Sequence, residues 1–441
     1  MTQIASFDTE FRAEVRQWLE DNCPASLRTP MADDDMVWGG KQVAFKTQDQ
    51  QQWFERVRDK GWFAPAWPVE YGGGGLSAAE EAILEQEMLR LGCRPAQINL
   101  GIWMLGPVLL EYGSEAQKQR LLKPMCRGEE RWCQGFSEPN AGSDLAGIRT
   151  SAVDMGDHFL VNGAKIWTSY GDKSDAMYAL VRTDTSAPKH QGISLLVLDM
   201  HAEGVTVAPI DLISGKSTFC EVFFDNVKVP KDNLIGPLNG GWTLAKKLLQ
   251  HERSAMSKFG QFCLPTHFNL MALIRDYLPC NDSSDAADIA LRQRAVESAM
   301  DEHCYNLTVQ RMGEEARSGK NVFGTMSIMK LVHTEQEKVK FELLLDAMGY
   351  RALGTMPENR TDPGTACSSA QELKLTKAWL NSFTQTIAGG SSEVQLNVIA
   401  KRVLELPELK YQAPAQSTVN GNANNGNANG SKQSGQAGGG Q

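Results

Sequence analysis

The sequence predicts a multidomain α+β protein: a helical domain over 1–128, an antiparallel β domain over 129–237 and a second helical domain over 238–410. Two switches of hydrophobic period and one shift of composition carry this. Up to about residue 128 apolar residues recur at three- and four-residue steps, the mark of a helix with one buried face. From about 130 they alternate, as in half-buried strands. Helical period returns after Pro237, and after Tyr411 large apolar residues almost cease. With 41% hydrophobic and 22% charged residues in 441, the composition is that of a globular protein, and the length suits two or three domains.

The elements follow in chain order. "FDTEFRAEVRQWLEDNC" is an amphipathic helix whose face is Phe11, Val15, Trp18 and Leu19. Acidic residues and the lack of an apolar run argue against a signal peptide at this start. "FAPAWPVEYGGGGLS" is a Pro/Gly loop holding Trp67 and Tyr71. The helix in "SAAEEAILEQEMLRLGC" places Ile83, Leu84, Met88, Leu89 and Leu91 against acids. "HFLVNGAKIWTS" reads as two strands around an Asn162-Gly163 turn, because Asn-Gly suits the tightest hairpins. "AMYALVRTD", "GISLLVLDM", "GVTVAPI" and "CEVFFDNVKVP" follow at short intervals. Strands and helices do not alternate and no G-x-G-x-x-G occurs, so a dinucleotide-binding α/β fold is not indicated.

Gly240-Gly241 opens the next helix, and Pro265 ends or kinks it. Residues 279–290 read as a connecting loop or helix entry, and further helices run to about Leu406. Residues 411–441 cannot bury enough surface to offset their ordering entropy, so they read as a disordered tail.

A net charge of −9 argues against a nucleic-acid partner, since there is no basic excess to displace counterions. No run of about 18 apolar residues suggests a membrane helix. Nine cysteines without a C-x-x-C pair fit reduced thiols in the cytoplasm. Seven histidines form no metal-binding pair.

Four stretches can carry chemistry. In "WCQGFSEPNAGSD", small residues after a strand let backbone N–H groups converge on an anion, or form a plain surface turn. Trp167 in "KIWTS" is either core or a wall for a cofactor. In "TIAGGSSEVQ", Ser391 or Ser392 caps a helix that either ends there or faces a cofactor. In "LLQHERSAM", Glu252 shares a helix face with Leu244, Leu248, Ala255 and Phe259. A carboxylate on such a face is costly unless it is paired or has a task.

Taken together and in this order, "GFSEPNAGSD", "NGAKIWTS", "EVFFDNVKVP", "GGWTLAKKLLQHER" and "GGSSEVQ" resemble the acyl-CoA dehydrogenase family, over about residues 5–410. The "WCQGFSEPNAGSDLA" form, with "HER" and "GGSSEVQ", resembles the bacterial branch that includes the pimeloyl-CoA dehydrogenase large subunit. The resemblance implies an N-terminal helical domain, a central β domain and a C-terminal four-helix domain. It implies FAD as cofactor, an acyl-CoA substrate, electron-transfer flavoprotein as acceptor, and a homo-oligomer or a hetero-oligomer with a homologous subunit. By motif, Gln134, Phe136, Ser137 and Ser143 fall in the flavin loop, Trp167 and Ser169 on the flavin wall, and Gly349, Ser391 and Glu393 near FAD. Ser143, Gln250, Arg253 and Gly389 fall at substrate positions.

Two departures matter. Most of the family carries the catalytic base in a Tyr-Glu-Gly-Thr-Ser block, and the matching residue here is Gly389. Some members carry it instead on the helix after the β domain, just before an arginine. That position is Glu252, before Arg253, so Glu252 is the expected base. The alternative is a non-catalytic or half-active subunit. The family's Arg-x-x-Phe-Gly block is matched only by Lys320 to Gly324.

Overall fold

The structure, a computed structural model, describes residues 2–215, 217–259, 270–278, 285–353 and 369–407. Pro265, residues 279–284 and the tail from 411 lie outside these residues. So do the side chains of Arg253, Ala255 and Phe259.

Five helices precede the sheet: α1 (Thr2–Asn22), α2 (Gln48–Asp59), α3 (Ala78–Leu91), α4 (Gly106–Tyr112) and α5 (Glu115–Arg127). The N termini of α3 and α5 are capping boxes: Ser77 with Glu80, and Ser114 with Gln117. Val15 and Leu19 of α1 are fully buried, with Phe11 and Trp18 packed beside them against Trp53 and Leu84. Trp67 and Tyr71 are core residues, while Leu89 lies on the exposed side of α3.

Glu87 on α3 is buried and accepts from three guanidinium groups: Arg12 at 3.0 Å, Arg16 at 3.0 Å and Arg90 at 2.5 Å. The Arg16 bond, joined by those of Arg90 and Arg12, holds its carboxyl down at about 2. A depressed carboxyl stabilises the fold above its ordinary value of 4.5, and that contribution is lost as pH falls through about 2. Glu87→Gln is therefore expected to cost about 1–3 kcal/mol at neutral pH. Paired urea melts should show the gap closing between pH 4.5 and 2.

Eight strands follow: β1 (Trp132–Gly135), β2 (Ser151–Asp154), β3 (His158–Ser169), β4 (Ala176–Arg182), β5 (Ile193–Asp199), β6 (Val205–Pro209), β7 (Phe219–Pro230) and β8 (Leu234–Ile235). The order is β6-β7-β3-β2-β4-β5-β8, with β1 beside β4. The sheet is mostly antiparallel, but β1 and β2 both pair parallel to β4. The expected antiparallel β domain is thus present, with two parallel pairings to β4 that make the sheet mixed. β4 is buried throughout because both its faces are covered. Ala176, Tyr178 and Leu180 face the N-terminal helices, and Met177, Ala179 and Val181 face a core within the folded sheet.

The expected hairpin at Asn162-Gly163 is also corrected. β3 runs straight through these residues, with a bulge between Val161 and Gly163 in its ladder to β7. Asn162 Oδ1 accepts from Asn226 N on β7 at 2.8 Å, so its side chain pairs across strands instead of closing a turn. A side chain at residue 163 would meet Thr150 Cα at 2.7 Å, so glycine here permits close strand approach. The turn into β3 lies earlier, at Gly156 (φ +97°).

Helices then return as α6 (Gly241–Phe259), α7 (Leu270–Tyr277), α8 (Ala286–Arg317), α9 (Phe323–Met348), α10 (Ala370–Gln385) and α11 (Ser392–Val398). α8 already begins within the expected 279–290 connection. Leu270, Ala295, Phe341, Leu344 and Leu375 form the core of this part. α6 differs, because its Leu244, Ala245 and Leu248 belong to the core shared by the N-terminal helices and the sheet.

Candidate active site

The placement of α6 begins at its first residue. Any Cβ on Gly241 would lie 2.6 Å from the Ser194 carbonyl carbon on β5. Glycine lets the helix start flush against the sheet. Leu244 and Leu248 then pack beside Ile193, Leu195 and Tyr178. One turn further, the half-buried Glu252 reaches the level of β1.

There Gln134 Nε2 lies 3.5 Å from Glu252 Oε2, at the outer limit of a hydrogen bond. Gln134 is the register partner of Tyr178 in the parallel β1–β4 pair. Tyr178 is fully buried, and its hydroxyl donates to Met104 Sδ at 2.9 Å. Burial, and then the nearby negative charge of Glu252, push the Tyr178 hydroxyl well above its ordinary range. Phe136 meets the Tyr178 ring edge-on at 6.1 Å. Met104 comes from a π-helical turn, Gly101–Leu105, that packs against α6. A carboxylate thus stands at the edge of an apolar floor, with one amide aimed at it.

The second part of the site is the junction of the 136–143 loop with the end of β3. Ile166 N donates to Ser137 O at 2.9 Å. Lys165, fully buried, donates to Phe136 O at 3.1 Å and to Glu138 Oε1 at 2.8 Å. Beyond Lys165 the ladder to β7 breaks and resumes at Thr168. Trp167 occupies the break at φ +62°, with 53% of its surface exposed. Phe219 supports its ring edge-on at 6.0 Å. Ser169 is half-buried where the ladder continues. Gly142 and Ser143 lie exposed on the loop, with open space at the Gly142 Cβ position. An exposed indole, braced from one side by Phe219, fits a flat aromatic cofactor such as FAD.

The other expected positions lie on α6 and on the helices and turns that follow it. Gln250 is exposed on α6, beside the half-buried His251. Ser391 caps α11, accepting from Val394 N at 3.3 Å, and Glu393 lies exposed in the first turn. Gly389 is exposed at φ +67°. Lys330 of α9 pins this turn by donating to Gln385 O at 3.1 Å and Gly390 O at 2.7 Å. Gly349, exposed at φ +55°, terminates α9. Lys320 is exposed just before α9.

Sequence reasoning missed Glu138, Lys165, Tyr178 and Met104. One signal was present for Lys165. It follows Phe159 and Val161 at even spacing on β3, on the face that turns inward.

Comparison with known proteins agrees with this architecture. Residues 8–129, 133–227 and 239–404 match the acyl-CoA dehydrogenase N-terminal, middle and C-terminal domain families. The chain is 32% identical over 410 residues to acyl-CoA dehydrogenase IpdE1 of Mycolicibacterium smegmatis, covering 90% of this chain and 97% of that one. The Mycobacterium tuberculosis IpdE1 is also 32% identical, over 404 residues, with the same coverage. Among solved structures, the Tcur3481-Tcur3483 steroid ACAD aligns with a TM-score of 0.65 at 26% identity, over 92% of this chain and 98% of that one. The ChsE4-ChsE5 complex from Mycobacterium tuberculosis aligns with a TM-score of 0.64 at 27% identity, over 91% and 98%. Three domain matches laid end to end, and relatives matched over almost their whole length, make this chain an oxidoreductase of the acyl-CoA dehydrogenase family.

Proposed function

We propose that the chain catalyses FAD-dependent α,β-dehydrogenation of an acyl-CoA thioester to a trans-2-enoyl-CoA, with Glu252 as the base. The observation that carries this is the carboxylate of Glu252 3.5 Å from Gln134, the register partner of Tyr178 on the strand that leads into the loop bearing Phe136 and Ser137. When bound, FAD supplies the hydride acceptor and passes the electrons to an electron-transfer flavoprotein.

The chain's own residues supply the rest. Glu252 takes the proton alpha to the thioester carbonyl. Gln134 orients the carboxylate oxygen that it faces. Tyr178, Met104 and Phe136 form a floor that keeps water from the reacting carbon. The developing enolate oxygen needs fixed donors. The backbone N–H of Gly389 is one, and it survives the absence of a side chain there. Ser143, Gln250 and Arg253 contact the acyl-CoA, and Ser137, Trp167 and Ser169 cradle the flavin. Six free thiols among the described residues, five of them buried, suit a reducing cytoplasm.

Hetero-oligomer formation has its own support. Ile289, Val296, Met300 and Leu307 form an exposed apolar stripe along α8. Gly349, Gly389 and Glu393 are exposed as well. The similar ChsE4-ChsE5 structure is a complex, and the Tcur3481-Tcur3483 steroid ACAD likewise bears a two-part name. In this reading the chain works beside a homologous subunit that completes its flavin site.

The purified protein is expected to be yellow, with about one flavin released per chain on heat denaturation. An acyl-CoA panel with a ferrocenium acceptor then defines the acyl group. A colourless protein that does not rebind added FAD would overturn the flavoprotein reading. Flavin that appears only on co-expression with a homologue would favour the hetero-oligomer.

A further inference from the structure

The buried Glu138–Lys165 pair spans the two halves of the candidate flavin cradle. Glu138 belongs to the loop and Lys165 to β3. The carboxylate of Glu138 accepts from Lys165 Nζ at 2.8 Å, Arg149 N at 2.6 Å and Thr150 N at 2.9 Å. Lys165 also donates to Phe136 O at 3.1 Å. Glu138 closes a tight turn with Ala141 through two backbone bonds, 3.0 and 2.9 Å. Three chain segments thus meet on two side chains, of which Lys165 has no exposed surface and Glu138 only 8%.

A buried ion pair is a poor choice for stability alone, because apolar residues of similar volume commonly serve as well. Its directional bonds provide fixed distances instead. The distances fixed here are those between Phe136–Ser137 and Ile166–Trp167. Trp167 is the neighbour but one of Lys165, and its left-handed backbone persists only where its surroundings hold it.

We propose that Glu138 and Lys165 are positioning residues that set the separation of the 136–143 loop from Trp167, and thereby the grip on the flavin. This rests on the flavoprotein reading above. Both are buried, so they act through the loop and Trp167.

The experiment uses the full-length holoprotein and three variants: Glu138→Gln, Lys165→Met and the two combined. Apoprotein is titrated with FAD, the visible circular dichroism of the bound flavin is recorded, and melting is followed in parallel. Each single variant leaves one buried charge without its counter-charge, so melting temperature and FAD affinity should both fall. The double variant removes both charges and should recover most of the melting temperature. Its FAD dissociation constant should nevertheless stay about tenfold or more above that of the parent, the scale of a lost charge-assisted hydrogen bond. Its flavin dichroism should remain altered. A double variant that regains parental affinity and dichroism along with stability would show that the pair is structural only. A single variant that fails to fold leaves the double variant to decide, and a double variant that also fails to fold would overturn the positioning role in favour of a purely structural one. A parent that binds no FAD would overturn the flavoprotein reading and this one with it.

Discussion

Glu252→Gln is expected to abolish reduction of bound flavin by acyl-CoA while leaving FAD and acyl-CoA binding intact. Glutamine is nearly isosteric, so the packing of Leu248 one turn away is kept. The amide oxygen still accepts from Gln134, yet it cannot take an alpha proton at neutral pH. The loss should therefore appear in turnover and not in affinity. General bases typically contribute about 10²–10⁴-fold, and abstraction from a carbon acid belongs at the top of that range. Anaerobic bleaching of the flavin on mixing with a good substrate measures it. Bleaching at the parental rate would make Glu252 structural and send the base to another residue or chain. Adding Gly389→Glu to this variant should restore part of the rate if the two positions flank the same alpha carbon. A Cβ at Gly389 meets nothing within 4 Å, so space allows it. The backbone there has φ +67°, so a side chain costs about 1–2 kcal/mol.

Gly106→Val is expected to destabilise the fold by about 3 kcal/mol, the upper part of the overpacking range. Gly106 is the first residue of α4, directly after the π-helical turn. A Cβ there would fall 1.9 Å from Trp67 Cη2 and 2.2 Å from Cζ2. The indole has nowhere to retreat. It is buried in the main core, and at its other end Gly73 approaches so closely that a Cβ would lie 2.5 Å from Trp67 Cβ. Alanine at 106 makes the sign informative. Helix propensity favours it over glycine by about 1 kcal/mol. The clash should still win, with a net loss of about 1–2 kcal/mol. Thermal melts of both variants test this, and an Ala variant as stable as the parent would show that Trp67 can shift. The same turn packs against α6, so Gly106→Val should also slow flavin bleaching by displacing Met104 from the floor below Glu252.

Local period was a sound guide where one face of an element meets one core. Phe11, Val15, Trp18 and Leu19 pack as the sequence indicates, and Leu244 and Leu248 point inward on the face that also bears Glu252. It misled at Asn162-Gly163. The dipeptide suits a tight hairpin, but it equally suits a bulge where two strands approach closely, and only the partner strand distinguishes the two. Here the partners are Asn226 and Thr150, 64 and 13 residues away in the chain. The parallel pairing of β1 with β4 was hidden for a related reason. β4 is covered on both faces and reads as a continuous apolar run, which carries no direction.

By itself the sequence determined the order of helical and β parts, the family blocks, the missing carboxylate at residue 389 and the candidate carboxylate at residue 252. These are properties of residues near one another in the chain, where helix and strand geometry are set by local sterics and period. Tertiary structure alone decided what meets Glu252 and what holds the loop. Gln134 lies 118 residues from Glu252, Met104 lies 74 from Tyr178 and Glu138 lies 27 from Lys165. Period tells which face of an element is buried, but not which side chain waits on the other side. That choice is made when α6 settles on β5 through Gly241, and when β1 joins β4 in parallel register.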